Sequence, residues 1–435
     1  MPSPPSIYAI DFGTSNSLLA AASADDVFDT VPLDKTAADP TVLRSILYFP
    51  AGKACYYGHE ALTKYVENGL EGRFLRSIKR HLPSREFRGT IIHSQKVAIE
   101  DLVASILREM RNRANAHFGT DVKSVVLGRP ARFSTNDADD DFAEQRLRAA
   151  AERAGFEDIR FLPEPVAAAR EFGVTMGEEQ RDKRERTVLV CDFGGGTSDF
   201  TLMRLGASPF KREDVLAIGG VPVAGDALDA GIMRKHVSKN FGADVSYKVP
   251  MGNNVLRMPL SIVEQLCSPA HLSALRRPDV ADFLRDVRNW SVGDEDAERL
   301  DALQTLVDDA LGFQLFESIE SAKRRLSDEK RTDVAFDYPT IHVREPVTRD
   351  DFEACSRGAM DSILQCLDAT VAASGIAPSD VDLVCSTGGT ARVPKLAQEI
   401  RRRFPKAEVR SFKGFHSVVL GLAQQARSVA RGDAG

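Results

Sequence analysis

The chain carries one strand–glycine turn–strand unit twice, and that repeat limits the folds open to it more than any other feature. The first copy reads Tyr8-Ala9-Ile10-Asp11-Phe12-Gly13-Thr14-Ser15-Asn16-Ser17-Leu18. The second, Thr187 to Leu202, carries Cys191-Asp192-Phe193-Gly194-Gly195-Gly196-Thr197-Ser198-Asp199-Phe200 at its turn. Each copy has an apolar run, an aspartate at the strand end, a polar glycine tip and a returning strand. A hairpin of this size cannot bury its own face, so two copies seed two sheets and predict an α/β body of two pseudo-symmetric lobes with the tips between them. The 435 residues are enough for two such lobes, each with a sheet core and a smaller subdomain.

Composition narrows the partners. Charged residues are 28% and hydrophobic ones 43%, the balance of a globular protein, and the net charge of −6 offers no basic field for nucleic acid. Nucleic acid and membrane are therefore not expected as partners. Six scattered cysteines lack the paired spacing of zinc or redox motifs, and the amino terminus has no basic, then apolar, leader pattern. A cytoplasmic monomer is the expectation.

Between the copies, helices are predicted over Lys96 to Phe118, Asp137 to Ala154 and Glu164 to Phe172, with a buried strand at Ser124 to Leu127. Residues 177–186 read as a charged, solvated crossing. Beyond the second copy, Leu256 to Leu266, Val280 to Trp290 and Ala297 to Leu315 read as helices, so 245–316 is expected to be a helical subdomain. A helix at Glu317 to Ser327, strand material at Thr332 to Pro346, a helix at Asp350 to Ala373, a strand at Val381 to Cys385 and helices at Leu396 to Arg403 and Phe415 to Ala430 complete the reading. The boundaries are lobe I at 1–186 with a subdomain near 43–120, lobe II at 187–406 with a helical subdomain near 225–332, and a helix in 407–435 returning to lobe I.

A glycine tip presents successive backbone N–H groups and small hydroxyls to an anion. One tip is ordinary turn chemistry, but two that face each other supply donors on both sides of a polyphosphate. Asp11 and Asp192 would repel that anion unless a divalent cation lay between, and magnesium, which keeps its waters, suits carboxylates reached through them. A third glycine turn, Ser386-Thr387-Gly388-Gly389-Thr390-Ala391-Arg392-Val393-Pro394-Lys395, joins a strand to a helix and suits close approach of a flat ligand, or only a loop. Glu320, Lys323, Arg324 and Ser327 fall at i, i+3, i+4 and i+7 on one helix face, which by spacing alone is an intrahelical ion-pair stripe.

Six ordered segments resemble the actin-like ATPase superfamily, with its ribonuclease H-like lobes, and within it the nucleotide-binding domain of the heat shock protein 70 chaperones. They are Ile10 to Ser17, Ile78-Lys79-Arg80, Leu162 to Ala169, Cys191 to Phe200, Glu320 to Ser327 and Thr387 to Lys395. The resemblance implies a chaperone-type ATPase that binds Mg-ATP between two lobes and hydrolyses it slowly as a switch. On it, Asp11, Asp192 and Asp199 hold the waters of Mg²⁺. Gly13, Thr14, Ser15, Asn16, Gly194, Gly195, Gly196 and Thr197 wrap the phosphates. Lys79 orients the attacking water and Glu164 orders the metal's water shell. Glu320, Lys323, Arg324, Ser327, Gly388, Gly389 and Arg392 hold adenosine, as ATP or ADP, and Gly225 with Asp226 stand for the family's glycine–acid signature.

The sequence departs from the family in three places. Gly219-Gly220 is separated from Gly225-Asp226, an aspartate expected before the last helix is Phe415, and no peptide-gripping β-sandwich is expected after that helix. The chain thus resembles the short, stand-alone heat-shock-type relatives, with client proteins or co-chaperones expected to use 245–316. A non-hydrolysing nucleotide-dependent regulator, a sugar kinase of the superfamily and a filament former are the alternatives.

Overall fold

The computed structural model describes residues 3–52, 54–69, 71–134, 136–175, 185–206, 212–250, 252, 254–268, 271–309, 311–411 and 416–432. Two sheets frame the molecule. The first runs Asp158–Pro163, Ser124–Arg129, Ile7–Phe12, Asn16–Ala22, Val27–Phe28, and the second Glu408–Ser411, Leu383–Thr387, Arg186–Phe193, Ser198–Leu205, Val215–Val221. In both, the hairpin is antiparallel and its first strand lies parallel to the neighbour on its other side. The strand orders correspond position by position, which is the duplication that the repeat predicts.

The pleat decides what each strand feeds. Successive side chains point to opposite faces. Tyr8, Ile10 and Phe12 therefore enter one core, against the helices Ile99–Phe118 and Asp137–Arg153, while Leu189, Cys191 and Phe193 enter the core of the other lobe. Ile7 and Ala9, like Val188 and Val190, face a third core shared by both sheets. Two helices fill that shared layer, Glu164–Thr175 and His416–Arg431. They cross closely, since a β-carbon at Gly421 would lie 1.8 Å from the Ala167 carbonyl oxygen. Helix His416–Arg431 packs on Ile7–Phe12, Asn16–Ala22 and Ser124–Arg129. By the same alternation Asp11 and Asp192 continue the inner rows, at the strand ends where the shared layer opens.

Several local expectations need correction. Gln95–Ala98 is a strand paired with Gly89–Ile92, so the helix expected from Lys96 begins at Ile99; the tight turn puts His93 and Ser94 at φ 47° and 65°. Val255–Arg257 is a strand rather than helix, and helix Leu260–Leu266 follows Pro259, which lacks an N–H. The run expected from Ala297 to Leu315 is two helices, Asp296–Asp308 and Gly312–Asp328. Asp350 to Ala373 is likewise split at Ser356 into Arg349–Cys355 and Arg357–Ala373. Thr332 to Pro346 is a hairpin of Arg331–Tyr338 and Ile341–Thr348. Most of the charged crossing at 177–186, and Phe415, lie outside the described residues.

Candidate functional site

Both glycine tips close with the same bond. Gly13 N–H donates to Asn16 O at 3.0 Å, and Gly194 N–H donates to Thr197 O at 2.9 Å. The tips also meet: a β-carbon at Gly195 would lie 3.6 Å from Ser15 Oγ and 3.3 Å from Asp226 Oδ1. Gly13 and Gly195 thus stand across one cleft, and Ser15, Gly195 and Asp226 form its narrow point. Thr14, Asn16, Gly196 and Thr197 are half-buried, while Ser15 and Gly194 are exposed at the tips.

The cleft holds four carboxyl groups and one ammonium, with Asp199 at its mouth and Asp11, Asp192, Glu164 and Lys79 below. Lys79 Nζ donates to Glu164 Oε1 at 2.5 Å; Lys79 is buried and Glu164 half-buried, at 8% and 16% side-chain exposure. A short 3₁₀ turn, Ile78–His81, aims Lys79; it is preceded by Ser77 at φ 57°, a left-handed conformation unusual for a side-chain-bearing residue. Glu164 starts its helix after Pro163, and its Cγ would be 3.2 Å from a β-carbon at Gly128, so that glycine makes room for it.

Charge accumulates there. Burial pushes the Asp11 carboxyl well above the usual range, and the Glu164 charge raises it further, against the pull of Lys79. Burial also raises Asp192, partly offset by Thr387 Oγ1, which donates to Asp192 Oδ1 at 2.6 Å. Asp199 is pushed up to about 6, first by burial and then by the Asp192 charge, although Thr197 Oγ1 donates to it at 3.0 Å. Asp199 is nonetheless open to solvent at the mouth of the cleft. Crowding by protein on its other sides costs it water, while the open side leaves room for a hydrated cation. Three carboxyls destabilised by burial, with Glu164 and Asp192 adding charge, form a donor set that a divalent cation would satisfy. Among the described residues no three His, Cys, Asp or Glu side chains converge closely enough to ligate a metal directly. This donor set fits Mg²⁺ held through its waters.

A second cluster gathers around Gly225, at the start of helix Gly225–Ile232. Asp226 N–H donates to Gly195 O at 2.8 Å, tying this helix to the second tip. Lys323 turns inward, donating to Asp229 Oδ2 at 2.7 Å and to Gly225 O at 3.3 Å. Thr390 Oγ1 would lie 3.3 Å from a β-carbon at Gly225, so the third glycine turn joins the cluster. Gly388 sits at φ 85°, where a β-carbon would be 2.0 Å from Phe193 O, whereas Gly389 faces open space. Arg392 Nη2 pairs with Asp328 at 3.0 Å and links that turn to the end of helix Gly312–Asp328.

The helix-face residues divide. Glu320 Oε1 accepts from Arg324 Nη2 at 2.8 Å, the intrahelical pair that the spacing also allowed, and Ser327 O accepts from Arg349 Nη2 at 3.3 Å. Three further participants carry no signal in the sequence. Thr387 reaches Asp192 only because their strands are in parallel register. Asp229 partners Lys323. Arg44 Nη2 lies 3.2 Å from Glu317 Oε1, with its guanidinium 4.9 Å from the Phe313 ring centre, so it spans the two lobes.

A family model described as Hsp70 protein matches residues 86–259 and 286–434. Residues 260–285, which it leaves unmatched, lie inside the region 245–316. Among curated proteins, "Chaperone protein DnaK" of Thermotoga petrophila is 25% identical over 434 residues, covering 98% of this chain and 59% of that protein. The protein of the same name from Thermosipho africanus is 26% identical over 430 residues, with the same coverage. The chain therefore spans about three-fifths of the length of the curated relatives it matches.

Proposed function

The chain belongs to the heat shock protein 70 family, with the actin-like ATPase fold of that family, and from this premise we propose that it is a chaperone-type ATPase that binds Mg-ATP between its lobes and hydrolyses it slowly as a conformational switch. The observation that carries this reading is the facing of the two tips, Ser15 against Gly195, over Asp11, Asp192, Lys79 and Glu164, with Asp199 at the mouth of the cleft. The lobe boundaries are taken at 186/187 and 406/407.

Backbone N–H groups and hydroxyls of Gly13 to Asn16 and Gly194 to Thr197 bind the phosphates from two sides, which neutralises charge without a flexible side chain. Asp11, Asp192 and Asp199 would hold Mg²⁺ through its waters, and the ion, when bound, neutralises charge on the phosphates. Lys79 donates toward the attacking water, while Glu164 fixes the ammonium in place; Thr387 fixes the Asp192 carboxylate. The contribution is mainly positioning, so turnover can be slow. The face of Glu320, Lys323, Arg324 and Ser327, with Gly388, Gly389 and Arg392, holds adenosine. Gly225 and Asp226 join it to the phosphate end.

Six free cysteines, and the lack of any described helix long and apolar enough to cross a membrane, suit a cytoplasmic site of action. We assign clients or co-chaperones to 245–316. The test is ATP hydrolysis by the purified protein beside Lys79→Ala and Asp192→Asn. We expect slow turnover in the first and loss of at least ~10-fold in each variant, whereas equal rates would remove the assigned roles. ATP binding without turnover in the unaltered protein would favour the non-hydrolysing regulator instead.

A further inference from the structure

The β-ribbon of lobe II offers a surface that the nucleotide reading leaves unused. Strands Ser246–Lys248 and Val255–Arg257 pair antiparallel, with Tyr247 opposite Leu256. Ser291 bridges to Tyr247 on the far side, so that edge is covered, while among the described residues no strand pairs with the Val255–Arg257 edge.

The hydrogen-bond alternation fixes which groups point outward. Met258 N–H donates to Val245 O at 3.0 Å, which makes Val245–Met258 a hydrogen-bonded pair and, two residues on, Tyr247–Leu256 another. Arg257 and Val255 are then in the alternate pairs, and their N–H and C=O groups point to the open edge. The other side agrees: Ser246, opposite Arg257, points its carbonyl outward and accepts from Val292 N–H at 3.1 Å.

The ribbon's solvent face is apolar and cationic. Tyr247 is buried against the Phe283 ring, so the alternating positions Lys248, Val255 and Arg257 face water. Val255 is 60% exposed and Val292 55% exposed, with Leu256 at 40% on the opposite face. Among the described residues neither Lys248 nor Arg257 forms an ion pair with a carboxylate, although the chain as a whole is acidic. A strand edge with outward N–H and C=O groups, and with Val255 and Leu256 exposed on its two faces, is a template for one short added strand.

We propose that this edge binds an extended segment of a partner protein in which acidic and aliphatic residues alternate, added as a further strand beside Val255–Arg257. Outward backbone groups of Val255 and Arg257 supply main-chain bonds, the two cations select acidic side chains on their face of the ribbon, and Leu256 receives the aliphatic ones on the opposite face. A second copy of this chain is disfavoured as occupant, because pairing the outward groups of two ribbons sets Val255 opposite Arg257 and gathers the cations of both copies with no carboxylate among them.

Trp290, the only tryptophan, ends the helix that leads into Ser291 and Val292, and gives a local reporter. The full chain is titrated with a capped hexapeptide of alternating glutamate and valine, following Trp290 emission and the backbone amides of Val255 and Arg257. We expect a saturable change, weakened at least tenfold in K248E/R257E and at least threefold in the milder K248Q/R257Q. Circular dichroism checks that each variant is folded. The glutamate peptide with alternate amides N-methylated is expected not to bind. The proposal is overturned if the glutamate peptide does not bind, if a lysine–valine peptide binds equally well, if N-methylation has no effect, or if sedimentation shows that the ribbon is occupied by a second copy.

Discussion

The two hairpins close with the same turn bond, and the residue facing the strand-end aspartate differs between them. Asp11 stands opposite Leu18, which is 1% exposed, whereas Asp192 stands opposite Asp199 at the open mouth of the cleft. The turn bonds of 3.0 and 2.9 Å are otherwise alike. Duplication explains the cradle, and the departure from symmetry explains the chemistry: the second tip carries two carboxyls where the first carries one. The first lobe supplies the Lys79–Glu164 pair instead. On the proposed reading, phosphate binding is shared between the lobes, while metal-holding charge is weighted to one and the ammonium to the other.

Making the tips alike is the severest way to break this comparison. Asp199→Leu gives the second hairpin the residue that faces Asp11 in the first and is expected to lower ATP turnover by ~10²-fold or more in a single-turnover assay, with the fold retained by circular dichroism. The reciprocal Leu18→Asp buries a carboxyl with no cation beside it, and should lower stability by about 3 kcal/mol in urea unfolding. Lys79→Met is expected to cost turnover ~10²-fold and also stability, because Glu164 is left without its ammonium. Adding Glu164→Gln should restore the stability and not the turnover. Thr387→Val frees the Asp192 carboxylate, and a loss of ~10-fold in turnover with little change in unfolding midpoint would mark it as a positioning group.

The smallest effect concerns pH. Asp199 is raised from an unfolded value near 3.8 to about 6, so the folded form keeps its proton longer than the unfolded chain. The contribution of Asp199 to the stability of the nucleotide-free protein therefore falls as pH rises from about 4 to 6 and stays lower above that. Asp199→Asn should match the original at pH 4 and exceed it at pH 8, by about 1 kcal/mol after allowance for solvent screening at this exposed side chain. Paired urea titrations at the two pH values check the sign.

What the sequence discloses follows from periodicity. The hairpins, the strand-end aspartates and the long amphipathic helices are visible because alternation and helical spacing are local properties. Helix Ile99–Phe118 was legible for that reason, and the strand Gln95–Ala98 before it was not, since its pairing depends on a turn through His93 and Ser94. The break between Asp308 and Gly312 was also hidden, because Leu303, Leu306, Leu311 and Leu315 keep an apolar rhythm through it. Within the site, Asp11, Asp192 and the glycines could be named from the repeat. Lys79, Glu164 and the helix-face residues depended on the family resemblance, since a lysine in a basic stretch carries no sign of being buried beside a glutamate 85 positions away. Thr387, Asp229 and Arg44 came only from register and packing.

Helix His416–Arg431 lies against the strands Ile7–Phe12 and Asn16–Ala22, and Arg431 Nε donates to Ala24 O across 407 positions of chain. During synthesis the earliest sheet to leave the ribosome must wait for this helix with Ala9, Ala20 and Ala22 uncovered, since those residues share their core with Val419, Leu422 and Ala423. A nascent chain stalled short of that helix therefore exposes a greasy seam, and a member of a chaperone family becomes, for that interval, a candidate for another chaperone's help.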